Sequence, residues 1–135
     1  MNVPLKTRTL KQSVTLPSAP QEIFSLLMNS RRHSGFTGAA AVIDARPGGR
    51  FSAYDGYIEG TTVEQEKGKK IVQSWRGRDW PAGHYSTVTF LFKKVSTGTR
   101  LELTQHGIPA AEFEGIKQGW NDFYWKRMKD YLKNK

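Results

Sequence analysis

Residues 110–134 constrain this chain more than any other stretch. Phe113, Ile116, Trp120, Phe123/Tyr124, Arg127/Met128 and Tyr131 recur there at steps of three and four, the period that lines one face of a helix. At 1.5 Å per residue such a helix reaches roughly 37 Å, long enough to cross a whole sheet. Gly115 and Gly119 each cost about 1 kcal/mol relative to alanine in a helix. Their spacing predicts a close backbone approach to the sheet that offsets the cost.

The sheet itself is written upstream. Thr7–Leu16 alternates, with Leu10, Val14 and Leu16 on one face and Thr9, Lys11, Ser13 and Thr15 on the other, as a half-buried strand does. Pro17 stops it. Ser18 and Gln21 then predict a capped helix start, and Ile23, Phe24 and Leu27 form its apolar face. Residues 29–39 read as a helical turn and a loop. From Ala40 onward, strands are predicted over Ala41–Asp44, Arg50–Tyr54, Tyr57–Glu64, Lys70–Arg76, Thr87–Val95 and Thr99–Gln105. Turns at Pro47-Gly48-Gly49, Lys67-Gly68 and Thr97-Gly98 separate them, and Gly77–His84 is a longer loop. Asp55-Gly56 signals a two-residue hairpin, because a type I′ turn needs positive φ at both positions. Regular spacing with short turns means an antiparallel sheet, which curls by its own twist. The expected fold is α+β: about seven curved antiparallel strands around a long C-terminal helix, with one or two short helices after the first strand. This is the helix-grip arrangement, in one domain over 1–135 with a core of about 7–133.

Composition removes several functions. Without cysteine there is no disulfide, thiolate nucleophile or thiolate metal site. No apolar run approaches the roughly 20 residues of a membrane span. The N-terminal MNVPLKTRTLKQ lacks the apolar stretch of a secretory signal, so a cytoplasmic protein is the economical reading. His33, His84 and His106 are too far apart in sequence for a local metal site and read as surface or turn residues. No Gly-x-Ser-x-Gly elbow is present, and neither catalysis nor a cofactor is expected. The net charge of +9 concentrates at the two chain ends. Lys6, Arg8, Lys11, Arg31 and Arg32 face only Glu22 in residues 1–33. Lys117, Lys126, Arg127, Lys129, Lys133 and Lys135 face Asp122 and Asp130 in residues 115–135. Brought together, the ends would form a basic face that speeds encounter with an acidic partner. Apart they are a solvated surface. Nucleic acid is the weaker partner class, because the RNP-type strand signature is absent and the aromatics suit a sheet–helix interface.

Several short motifs follow one another along the chain: Gly48-Gly49-x-Phe51, Asp55-Gly56-x-Ile58-x-Gly60 and Ile71-Val72-x-Ser74-Trp75. Next come Trp80-Pro81-x-Gly83-His84, Thr87-Val88-Thr89-Phe90 and Gly98-Thr99-x-Leu101. The last two are His106-Gly107-Ile108-Pro109 and Gly119-Trp120-x-x-Phe123-Tyr124-Trp125. In this order they resemble the activator of heat-shock protein 90 ATPase homologue family, in particular the C-terminal domain of the eukaryotic activator. That family belongs to the START-like (SRPBCC) superfamily, and the resemblance covers about residues 7–133. It implies a co-chaperone-like, non-enzymatic binding module of the stress response, with a heat-shock protein 90-type chaperone or another acidic protein as partner. The eukaryotic activator carries a further N-terminal domain that makes its main chaperone contact. With the first strand expected near residue 7, none is expected here and ATPase stimulation is expected to be weak.

The superfamily fold also implies an apolar cavity, and with it the alternative function, a carrier or sensor of a small hydrophobic ligand. By inward parity Phe51, Trp75, Phe90, Phe92 and Trp120 are the candidate lining, with Phe24 and Phe36 near the mouth. Core filling remains open for each. Trp80, Pro81 and His84 in the long loop, with Lys126, Arg127 and Lys129 on the terminal helix, are the candidate partner contacts.

Overall fold

Alternating burial carries the first strand. In the computed structural model, which describes residues 5–133, β1 spans Thr7–Leu16 with Leu10, Val14 and Leu16 turned inward. Two short helices follow, α1 (Pro20–Met28) and α2 (Ser30–Thr37). Six strands then run β2 (Val42–Ile43), β3 (Arg50–Ala53), β4 (Ile58–Glu66), β5 (Lys70–Gly77), β6 (Ser86–Val95) and β7 (Gly98–Pro109). All neighbours are antiparallel, in the order β1-β7-β6-β5-β4-β3-β2. The first strand therefore closes on the last, with Leu16 opposite Thr99. Gly60 is required where β4 meets β5: a Cβ there would lie 1.8 Å from the Ser74 carbonyl oxygen.

The C-terminal segment opens with a 3₁₀ turn over Ala110–Glu112 and continues as α3 (Phe113–Trp120). A π turn, Asn121–Trp125, joins it to α4 (Lys126–Lys133). This terminal helix covers the concave face of the sheet. Leu26 of α1, Ile71, Val88, Leu101 and Leu103 lie beneath it, with Met128 of α4 buried in the same core, all with no solvent exposure or almost none. The helix-grip architecture is as expected from the sequence.

Five local expectations fail for identifiable reasons. Residues 29–39 hold a two-turn helix rather than a single helical turn and a loop: Asn29 accepts the Arg32 amide at 3.0 Å and Gly38, at φ 75°, stops α2. The first helix is capped at Ala19, not Ser18, because Pro20 supplies a preset φ at the first helical position. The Asp55-Gly56 turn is a four-residue loop, since Ala53 pairs with Ile58 and Tyr54, Asp55 and Gly56 all have positive φ. There Asp55 Oδ1 accepts the Ala40 amide at 2.9 Å and the Asp55 amide donates to the Ala40 carbonyl, so the loop is shaped by a distant clamp. Phe123 does not face the sheet: the π turn inserts an extra residue, leaving Phe123 47% exposed and Tyr124 buried. Finally, Gly115 and Gly119 make no close approach. A Cβ on Gly115 would meet nothing within 4 Å, and one on Gly119 only Phe123 at 3.7 Å.

Candidate functional site

The space those glycines leave open is a cavity of about 500 Å³ between the sheet and the terminal helix. Ile58 and Trp75 of β4 and β5 form its sheet side. Tyr54 and Tyr57 enter from the β3–β4 loop, and Asp79 and Trp80 from the β5–β6 loop. The helix contributes Glu112, Gly115, Ile116, Gly119, Trp120, Phe123 and Tyr124.

Sequence parity explains the sheet wall, and a single arginine explains the loop. Arg76 leaves β5 beside the loop and donates to the carbonyls of Trp80 at 2.7 Å, Pro81 at 3.3 Å and His84 at 3.3 Å. Three carbonyls gathered on one guanidinium fold the loop back on itself and turn Trp80 inward. The Trp80 ring lies 5.5 Å from that of Trp75 and is 4% exposed. His84 closes the loop by a 2.7 Å contact from Nε2 to the Gly107 carbonyl. At the rim the Tyr57 hydroxyl donates to Asp79 Oδ1 at 2.7 Å. Burial first, then the Asp79 hydrogen bond and the charges of Asp79 and Glu112, push the Tyr57 phenol up to about 12.

The helix wall is anchored from beneath. Trp120 Nε1 donates to Gln105 Oε1 at 2.7 Å, Gln105 Nε2 donates to Ser86 Oγ at 3.0 Å, and Ser86 Oγ donates to the Trp75 carbonyl at 2.8 Å. This buried chain ties Trp120 to β7, β6 and the Trp75 backbone of β5. On the other flank the Tyr124 hydroxyl and His33 Nε2 are hydrogen-bonded at 3.1 Å. Loss of hydration lowers His33 to about 4, so its ring is neutral at physiological pH, and burial pushes Tyr124 up. The Tyr54 hydroxyl donates to the Phe123 carbonyl at the π turn, and burial raises Tyr54 to about 12. Among the described residues, Trp80 Nε1 and His33 Nδ1 are buried without a partner.

Of the residues named from sequence for the cavity, Trp75 and Trp120 line it. Phe24, Phe36, Phe51, Phe90 and Phe92 are buried in the core and do not line it. Phe24 packs on Phe92 at 5.7 Å, and Phe36 packs on His33 and Tyr124. Of the residues named for partner contact, Trp80 is a buried wall residue, Pro81 is exposed and His84 is half-buried. Lys126 and Lys129 are exposed, and Lys126 pairs with Asp122 at 3.5 Å. Arg127 donates to the Thr37 carbonyl at 2.9 Å and sits over the Phe123 ring. Asp79, Glu112, Tyr54 and Tyr57 carried no cavity assignment from sequence, because all four reach the rim from turns, where strand or helix periodicity assigns no face. His33, read as a surface or turn residue, is buried because the terminal helix docks over it. The cavity presents aromatic faces and hydroxyls already engaged.

A family model described as Activator of Hsp90 ATPase homolog 1-like protein matches residues 17–133. The human protein named activator of 90 kDa heat shock protein ATPase homolog 1 is 33% identical over 129 residues, which is 96% of this chain and 38% of that protein. The Dictyostelium discoideum protein named activator of 90 kDa heat shock protein ATPase homolog is 34% identical over 124 residues, which is 91% of this chain and 32% of that protein. The chain thus spans 32–38% of the length of these relatives. A Plasmodium falciparum crystal structure described as an HSP90 activator superposes with a TM-score of 0.86 at 30% identity, covering 92% of this chain and 95% of that one. An uncharacterised Rhizobium leguminosarum protein shares the fold at a TM-score of 0.80 and 15% identity, with 98% of each chain covered.

Proposed function

The chain belongs to the Activator of Hsp90 ATPase homolog 1-like family, and on that premise we propose that it is a non-enzymatic protein-binding module of co-chaperone type whose partner is an Hsp90-type chaperone or a similarly acidic protein. The observation that carries this reading is the likeness to the Plasmodium activator over nearly the whole of both chains. The surface supports it. In a chain of net charge +9, α4 presents Lys126 and Lys129 to solvent on the side away from the core. A positive face of this kind raises the association rate with an acidic surface more than it lengthens the complex's lifetime.

The test is an association-rate measurement against purified chaperone, with nucleotide, as salt is raised. The Debye length falls from about 10 Å at 0.1 M to about 3 Å at 1 M, so association slows with salt. Reversing Lys126 and Lys129 to glutamate slows association more than it speeds dissociation. Arg127 is left in place because it bonds the Thr37 carbonyl. No saturable binding at low salt overturns the proposal.

The cavity favours a second reading. Its volume of about 500 Å³ exceeds the roughly 300 Å³ at which small-molecule sites begin, so the domain also has room for a ligand with an apolar body.

A further inference from the structure

In a protein with 21 basic and 12 acidic side chains, a randomly drawn wall would carry bases. Among the described residues this cavity is lined by two carboxylates, Asp79 and Glu112, and by no lysine, arginine or histidine. Neither carboxylate is in an ion pair among the described residues. Two basic side chains whose charge reaches the rim tyrosines keep that charge but hydrogen-bond to backbone carbonyls rather than to Asp79 or Glu112. Arg78 donates to the Asp55 carbonyl at 3.3 Å and Arg127 to the Thr37 carbonyl at 2.9 Å. Asp79 is held in place by the Tyr57 hydroxyl through one oxygen, which leaves the other oxygen and the charge available. Behind the rim stand three tryptophans, with the rings of Trp80 and Trp120 at 5.5 Å and 5.7 Å from that of Trp75. The negative face of an aromatic ring attracts an organic cation as a carboxylate does, but tolerates its methyl and methylene groups.

We infer that the cavity selects organic ammonium ligands, with the cationic nitrogen at the rim between Asp79 and Glu112 and the apolar body against the tryptophan wall. This rests on the reading that the cavity holds a small molecule. Selectivity runs against the protein's overall charge: the long-range field of a cationic protein draws anions, so a preference for a cation must arise in the cavity itself. The open helix wall at Gly115 and Gly119 leaves space for the body.

Three fluorescent probes sharing one body separate the contributions: dansylcadaverine (ammonium), the dansyl amide of pentylamine (neutral) and dansyl-6-aminohexanoate (carboxylate). Titrated into the full chain, dansylcadaverine is expected to bind about tenfold or more tightly than the neutral probe, a difference of about 1.4 kcal/mol, and the carboxylate least tightly. Asp79→Asn with Glu112→Gln removes the advantage of the ammonium and leaves the neutral probe's affinity within about twofold. Should the double variant fail to fold, Glu112→Gln alone, on the short 3₁₀ turn, is expected to reduce the same ratio. Equal binding of the ammonium and neutral probes, or tighter binding of the carboxylate, overturns the inference while the small-molecule reading stands. Binding of none of the three overturns both.

Discussion

Glycine at 115 and 119 is a loss the helix carries for the sake of space. Alanine is better than glycine in a helix by about 1 kcal/mol, and the backbone at Gly115 can take a methyl without contact. Gly115→Ala is therefore expected to raise the free energy of unfolding by about 0.5–1 kcal/mol in urea titration. A loss of stability would mean that the wall is closed. A second residue-scale consequence concerns His33. Its pKa is near 6.5 unfolded and about 4 folded. Between those values the unfolded chain binds a proton that the folded chain does not, so stability is full above pH 6.5, falls as pH drops and levels off near pH 4. The loss totals about 3 kcal/mol, because each tenfold weakening of proton binding is worth roughly 1.4 kcal/mol. Asp44, lowered to about 2 by its hydrogen bonds from Arg46, gives up its contribution below pH 4 and leaves the window clear. Unfolding measured from pH 7 to pH 4.5 should show the decline in the native chain and a flatter profile in His33→Gln. Neither behaviour was legible locally. Gln105 shares its inward parity with Leu101 and Leu103 and could have been flagged as a buried polar group. Its partner Trp120 was a long-range pairing that parity does not encode.

At the scale of elements, the strands were readable because alternation is local and their turns carry glycine. The terminal helix was readable as a stripe but not as a shape. Its π turn carries an i→i−5 bond from the Lys126 amide to the Asn121 carbonyl, and the rings of Trp120 and Trp125, five apart, stack at 5.5 Å and 19°. A period of 3.6 predicts neither. The change in phase buries Tyr124 in place of Phe123 and brings the Phe123 carbonyl to the Tyr54 hydroxyl. The grip is centred on Trp120, whose ring packs against Trp75, Phe90, Tyr124 and Trp125. Trp120→Ala is expected to cost about 3–5 kcal/mol, toward the upper end because Gln105 Oε1 loses its buried donor. A loss under about 1 kcal/mol in chemical denaturation would show that the helix is not gripped through this residue.

At the scale of the molecule, architecture followed from the order of elements, whereas the site did not. A sheet of this length with one long helix has few arrangements, and motif order pointed to the family. The cavity's chemistry depends on where three turns and one π bulge place their side chains, and these placements are fixed by contacts that strand and helix periodicity do not encode: Arg76 on its loop, Ala40 on Asp55, Tyr54 on the helix. The pairing of β1 with β7 has a further consequence, for the order of assembly. As the chain is synthesised, β1 is made before the other strands of this sheet and is the last of them to find a neighbour. Until β7 exists, β1 has no partner strand, β6 presents an open edge, and α1 and α2 have no terminal helix to pack against. Open edges invite pairing with other chains. A chain cut short before β7 loses the seam that joins β1 to the rest of the sheet as well as one strand.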